Sequence, residues 1–472
     1  MIRKPHFFFT ALLAVAITLS LFVRFPRSFS NDQARIDLDS IRKRGKLIAV
    51  TNFNSTDYFI YKGEPGGFTY ELLKTFAKHL GTDLEIITES NAEKAVDMLN
   101  KGKADIIAEV LPSGQLKVKL TDPVDQTRKI LVRRKHNSLP AMTGEMQQEM
   151  RDQFSLETGA VYVQGGYGGQ VSLASLSSAL GDSVRILDAP YDEDKLIEFV
   201  AGGIIDYAVC DENIALVNST IYPGIDVSRN AGPVELKSWA VRERHSDSLL
   251  LELNSWMAEY RKTRDYKFLY AEYFRNSRSG MIIRSDYYAH KTGRISRYDE
   301  IIKKYSDRIN WDWRLLASLI CQESRFNPSV ESGKGAYGLM QIMPETGERM
   351  GIDIKSSPEN NIRAGIKYIS FLHRIFEKKV SDPNERINFI LAAYNAGPGH
   401  VLDAMKLARK NGMDPGIWKD NVEVWMLKKS IPEYYNDEVV KNGFFTGKES
   451  VKFVAQILGR YEHYKNAVRD GN

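Results

Sequence analysis

A chain of 472 residues is too long for one ordinary hydrophobic core, and 43% hydrophobic with 26% charged residues matches a soluble globular protein of two or three domains. A formal net charge of +5 over this length gives no case for a nucleic-acid binder, which needs concentrated basic stretches. Two cysteines, Cys210 and Cys321, lie far apart; they exclude a disulfide framework and offer no metal-ligand spacing.

At the N-terminus Arg3 and Lys4 precede an apolar run from Phe7 to Val23, and Arg24 and Arg27 follow. That is the order of an export signal. The run is at the short limit for a membrane span, so residues 1–30 read as a signal sequence or an uncleaved N-terminal anchor. From Arg42 to Phe274 short apolar runs alternate with amphipathic stretches. Leu47–Val50 is strand-like, Phe68–Leu80 helical, Leu84–Ile87 strand-like, Ala92–Leu99 helical and Ile106–Val110 strand-like. A second round follows: Ala160–Val163, a glycine-rich turn, a helix near Val171–Leu180, then Val184–Leu187, another helix and Tyr207–Cys210. This alternation predicts an α/β region over 40–275 with mainly parallel sheets, in two lobes joined around Leu131–Pro140. Residues 276–295 are polar and mixed and read as a linker. From 296 to 472 every strong period is helical, which predicts an all-α domain.

In that domain a helix opens after Asn310, with Asp312 or Asn310 as cap, and its apolar stripe runs through Leu316, Leu319 and Ile320. Glu323 continues the stripe, four residues after Leu319 and three after Ile320. Cys321, in the same run, reads as a buried, inert thiol. A carboxyl group on that face meets the domain interior or a cleft wall, where poor hydration favours the neutral acid. One reading is a structural ion pair with Arg325 or Lys334. The other is a proton donor for glycosidic cleavage, which needs a protonated acid near neutral pH.

The surrounding residues separate these readings. Glu323-Ser324-Arg325-Phe326-Asn327-Pro328, then Ser332, then Gly335 to Pro344 with Thr346, and later Ala392-Ala393-Tyr394-Asn395-Ala396-Gly397-Pro398-Gly399, closely resemble the two signature blocks of lytic transglycosylases related to goose-type lysozyme. The resemblance covers roughly residues 296–465. It implies a lysozyme-like fold and Glu323 as sole catalytic acid/base. It implies substrate contacts from Ser332, Gln341, Met343, Tyr394 and Asn395, with no metal and no cofactor. One position departs from the pattern. The family tyrosine of the last helix is Phe453 here, with Tyr461 and Tyr464 further along as candidate replacements. Ordinary glycosidases place two carboxyl groups across the bond. A single acid implies that the substrate's N-acetyl group and C6 hydroxyl complete the reaction, giving a 1,6-anhydromuramic end.

Residues 42–275 resemble extracytoplasmic solute-binding proteins of the amino-acid type. The resemblance rests on Gly66 to Leu72, Leu99 to Asp105, Thr121-Asp122-Pro123, Gln164-Gly165-Gly166 and Asp206 to Asp211. It implies a ligand crevice between two lobes, with Asp211 holding a ligand's amino group and Gln115, Gln164 and Gly165 beside it. Gln115 stands where an arginine normally grips the ligand carboxylate, and an amide does not replace a bidentate guanidinium. Wall-derived peptides, or no ligand, are the other readings. Export signal, solute-binding-like module and transglycosylase-like domain together resemble the F family of membrane-bound lytic murein transglycosylases. The resemblance implies a periplasmic enzyme of a Gram-negative bacterium, peripherally attached to the outer membrane and acting on peptidoglycan. Its N-terminal module would act as a sensor of amino acids or muropeptides. A lysozyme-type hydrolase, and a solute receptor with a wall-binding C-terminal domain, are the alternatives.

Overall fold

A computed structural model describes residues 36–89, 91–108, 117–136, 144–154, 159–165, 184–274, 282, 285 and 288–468. The export-signal stretch, Gln115 and the helix expected at 171–180 lie outside the described residues.

The chain enters the first lobe through α1 (Leu38–Arg44), capped by Asp37, whose carboxylate accepts from the Leu38 amide at 2.8 Å. Then come β1 (Lys46–Thr51), the hairpin of β2 (Phe59–Tyr61) and β3 (Glu64–Gly66), and α2 (Phe68–Leu80). β4 (Asp83–Thr88), α3 (Ala92–Asn100), β5 (Ile106–Ile107) and β6 (Val118–Leu120) complete this part. β1 lies between β4 and β5 and is parallel to both, the arrangement that crossover helices impose. The second lobe follows with β7 (Asp125–Arg134), α4 (Gly144–Phe154), β8 (Val161–Gln164), β9 (Ile186–Ala189) and α5 (Glu193–Gly202). It closes with β10 (Tyr207–Asp211), α6 (Glu212–Ser219) and β11 (Ile225–Lys237). Its sheet has the order β11-β7-β10-β8-β9, with β7 antiparallel to β10 and β11 and the remaining pairs parallel.

The chain then returns. β12 (Ala240–Arg242) joins the first sheet beside β5 and β6, and α7 (Asp247–Tyr260) and α8 (Arg264–Phe274) pack on the first lobe. Buried Arg242 ties the return down by donating to the carbonyls of Ile36 at 2.7 Å and Leu99 at 3.1 Å. The lobes therefore join at 121–124 and again at 238–239, not at 131–140. Leu131 pairs with Val209 and Arg229 inside the second sheet. A strand's own alternation does not reveal which sheet it joins; only its partners do.

Beyond α9 (Ala289–Thr292) the described structure is helical: α10 (Asp299–Ser306), α11 (Trp313–Ser324), α12 (Pro344–Arg349), α13 (Pro358–Phe376), α14 (Pro383–Ala396), α15 (Pro398–Lys410), α16 (Glu423–Lys428), α17 (Pro432–Tyr435) and α18 (Lys448–Ala467). Proline opens α12 to α15, where its missing N–H is no loss and its fixed φ suits the first turn. Leu315, Leu316, Leu319 and Ile320 of α11 are buried, each contributing about 1.5–3 kcal/mol.

One core cluster spans the first lobe and the helical domain, while the other face of the first sheet (Val50, Val96, Ile107) and the second lobe have cores of their own. The seam is polar as well as apolar. Tyr464 of α18 donates to the carbonyl of Gly63 at the hairpin tip (2.8 Å), Arg460 pairs with Glu64 (3.2 Å), Tyr58 meets His463 Nδ1 (2.9 Å) and Asn466 donates to Ile86 (2.6 Å). In the stretch that reads as a linker, Tyr288, Ala289 and Ile295 are buried and Tyr288 bridges to Tyr61. Among the described residues no helix is long and apolar enough to cross a membrane.

Candidate active site

Asp312 caps α11 by accepting from the Arg314 amide at 2.9 Å, which sets the helix phase and turns Glu323 toward the interior. Glu323 is the last residue but one of the helix. It is half-buried, and no described group hydrogen-bonds or ion-pairs with its carboxyl; the structural pairing with Arg325 or Lys334 is absent among the described residues. Burial pushes its pKa up to about 8. The helix C-terminus, whose dipole disfavours a negative charge, acts in the same direction.

The chain after Glu323 is held in an unusual path. Arg325 and Phe326 take positive φ of 49° and 60°, and Gln341 one of 47°. Left-handed backbone costs a side-chain-bearing residue about 1–2 kcal/mol, so the loop needs external support. Ser324 Oγ donates to Leu339 O at 2.8 Å, and buried Asn361 of α13 accepts from the Met340 amide (2.9 Å) while donating to Tyr337 O (2.8 Å). Gly338 is required here: its φ is +79°, and a Cβ would lie 2.5 Å from Asn361 Nδ2.

The candidate residues divide by what they touch. Ser332 Oγ accepts from the Ala336 amide at 3.0 Å, closing a tight turn. Gln341 donates through Nε2 to Val330 O and Gly338 O, both at 3.0 Å, so its amide nitrogen serves the loop rather than a cleft. Met343 is 39% exposed, whereas Met340 is fully buried. Tyr394 of α14 donates to Met340 O at 2.7 Å. Burial, and then the Glu323 charge beside it, push the Tyr394 hydroxyl well above its usual pKa, so the ring is a neighbour of the acid. Asn395 is exposed, and its Oδ1 accepts from buried Ser450 of α18 at 2.6 Å. That bond occupies the Asn395 Oδ1, and its Nδ2 protons have no partner among the described residues.

Sequence reasoning missed Ser450 and Asn361. Neither breaks a pattern, and each acts on a residue far along the chain. Phe453 is buried, and neither candidate tyrosine replaces the missing hydroxyl: Tyr461 donates to Asp312 Oδ2 (2.9 Å) and Tyr464 to Gly63. Cys321 is buried with its thiol pushed up to about 11 by desolvation, the inert state expected of it.

In the N-terminal module Asp211 ends β10 and is buried, and its carboxylate is already paired. Lys129 Nζ lies 2.7 Å from Oδ1 and Lys237 Nζ 2.6 Å from Oδ2. Burial alone would raise its pKa; the two ammonium groups prevail and hold it well below the usual carboxylate range. Lys129 also meets Glu193 at 3.1 Å. Gln164 ends β8, and Gly165 donates to Ala189 O at 2.7 Å, where a Cβ would lie 2.9 Å from the same oxygen. Among the described residues no group of His, Cys, Asp or Glu is arranged to hold a metal ion.

Residues 48–276 match the model of the bacterial extracellular solute-binding proteins, family 3, and residues 300–415 that of the transglycosylase SLT domain. A membrane-bound lytic murein transglycosylase F of Desulfosudis oleivorans is 32% identical over 474 residues, covering 98% of this chain and 99% of the relative. The chain belongs to the membrane-bound lytic murein transglycosylase F family. A second member, from Pseudomonas fluorescens, is 29% identical over 90% of this chain and 86% of its own length. Among solved structures, a mutant of ArgBP from T. maritima is 23% identical with a TM-score of 0.41, covering 51% of this chain and all of that one. An ancestral cationic amino acid solute binding protein is 24% identical with a TM-score of 0.40, over 50% and 99%.

Proposed function

We propose that residues 296–472 form the catalytic domain and cleave the β-1,4 bond between N-acetylmuramic acid and N-acetylglucosamine in peptidoglycan, with Glu323 as the only acid/base. Residues 40–275 form the non-catalytic module, and 276–295 join the two. The observation that carries this reading is a half-buried carboxyl group with no partner among the described residues, held protonated at neutral pH by its surroundings. Protonated Glu323 gives its proton to the glycosidic oxygen as the bond breaks. The substrate's N-acetyl oxygen supports the positive charge developing at C1. The resulting carboxylate then takes the C6 hydroxyl proton, and that oxygen bonds to C1. Glu323 ends protonated again, the product carries a 1,6-anhydro ring, and no water is consumed. Met343, Tyr394 and Asn395 line the glycan cleft, while Ser332 and Gln341 keep the loop that frames it in shape.

Mass spectrometry of digested sacculi tests the chemistry. Anhydro ends are lighter than reducing ends by one water; a digest dominated by reducing ends would make the enzyme a hydrolase. Glu323→Gln abolishing digestion is expected, and normal digestion by that variant would overturn the assignment. The enzyme works in the periplasm in peripheral association with the outer membrane. The N-terminal module acts as a sensor of small solutes that influences the catalytic domain. Wall-derived peptides stand ahead of free amino acids as its ligand, because Asp211 already holds two ammonium groups.

A further inference from the structure

We propose that the Asp211 carboxylate is an ammonium-binding site whose occupant is the chain's own Lys237, an inference independent of the cleavage chemistry above. Lys237 is the last residue of β11, the strand that returns the chain to the first lobe, and it pairs in register with Asp125 of the outgoing strand β7. Its ammonium lies 2.6 Å from Asp211 of the second lobe, and the charges of Asp57 in the first lobe and Asp125 at the crossing also act on it. One carboxylate, Asp211, is in ion-pair contact with this cation, and the charges of Asp57 and Asp125 act on it from further away.

The surroundings of this pair are built rather than incidental. Asp57 is aimed by Thr69 Oγ1 at 2.7 Å and Asn54 Nδ2 at 2.7 Å, both donating to its carboxylate. Asp211 is fixed at the other side, its amide donating to Glu193 Oε2 at 2.9 Å and its second oxygen held by Lys129. The Lys237 side chain keeps only 19% of its surface exposed and that of Asp211 only 11%. Further ties join the two lobes: the Ser55 amide of the first lobe donates to Asp194 at the start of α5 (2.9 Å), and Asn218 holds the same carboxylate.

An incoming α-ammonium group must displace Lys237 and leave a mostly buried ammonium without its partner. Breaking a buried pair on one side carries a penalty that weakens binding about a hundredfold to a few thousandfold. Free amino acids are therefore poor ligands of the native site. Any solute it accepts is recognised through groups other than an amine.

The test uses the full-length protein, with thermal unfolding and calorimetric titration. Native protein should show no shift of its unfolding midpoint with millimolar L-lysine, L-arginine or n-propylammonium. Lys237→Ala should unfold at lower temperature and recover with n-propylammonium, which matches the deleted atoms, but not with 1-propanol. It should also bind L-lysine at least about tenfold more tightly than native protein. Lys237→Met keeps the volume without the charge and serves if the alanine variant does not fold; it should be stabilised by ammonium ions more than native protein is. Native protein binding amino acids as tightly as the variants would overturn the proposal, as would equal rescue by the alcohol and the amine.

Discussion

Glu323 carries an unusual protonation state, and its pH behaviour follows in sign. Its pKa rises from an ordinary value near 4.5 to about 8 on folding. Between those values the native state holds a proton that the unfolded chain has released, so stability falls as pH rises through this window. Glu323→Gln removes the penalty. It should leave the protein more stable than wild type by on the order of 1–3 kcal/mol at pH 8–9, after discounting for partial exposure, with no difference below pH 4 in chemical denaturation. Turnover of sacculi by the native enzyme should fall above about pH 8 as the acid deprotonates, and by about 10²–10⁴-fold in the Gln variant at neutral pH, read as soluble fragments released. Ser450→Ala frees the Asn395 amide to rotate. Turnover should drop several-fold while the unfolding midpoint moves little, and Ser450→Thr should retain activity; a large loss of stability in place of a kinetic effect would make Ser450 a packing residue only.

At the scale of elements, the loop between α11 and α12 depends on α13. Gly365 lies in the middle of α13, and a Cβ there would lie 2.3 Å from Met340 Sδ. Helix propensity favours Gly365→Ala by about 1 kcal/mol, but overpacking against Met340 opposes it by about 1–3 kcal/mol. Met340 also offers its carbonyl to Tyr394, so the displacement reaches the residue beside Glu323. The variant should be destabilised and less active together, by denaturant midpoint and sacculus digestion. Unchanged stability with full activity would mean that the loop tolerates the shift. Helix α11, the position of the acid on its stripe and the helical character of the whole C-terminal part were legible in the chain, because burial periodicity is a local signal. The supports of the loop were not. Asn361 and Ser450 meet partners 21 and 55 residues away, and no local pattern marks such a residue.

For the whole molecule, the continuous core from the first lobe into the helical domain predicts cooperative unfolding of these two parts, with the second lobe melting as a separate unit. Calorimetry should therefore resolve two transitions, and a helical domain that melts alone would contradict this. Gly63→Ala strikes the seam, since φ is +77° and a Cβ would lie 2.6 Å from Tyr464 Oη and 2.7 Å from Phe326. It should lower the shared transition by about 1–3 kcal/mol and leave the other in place. The sequence by itself determined the fold class of each part, the helix that carries the carboxylate proposed as the acid, and the membership of both halves in their families. Periodicity and contiguous motifs survive in one dimension. Only the tertiary structure decided where the lobes cross, that Asp211 is paired with two lysines, that Tyr461 and Tyr464 are committed elsewhere, and that a hairpin of the first lobe packs behind the Glu323 helix. Each of these is a contact between residues far apart in the chain, and pairing at that range depends on the assembled backbone rather than on any residue's neighbours in sequence.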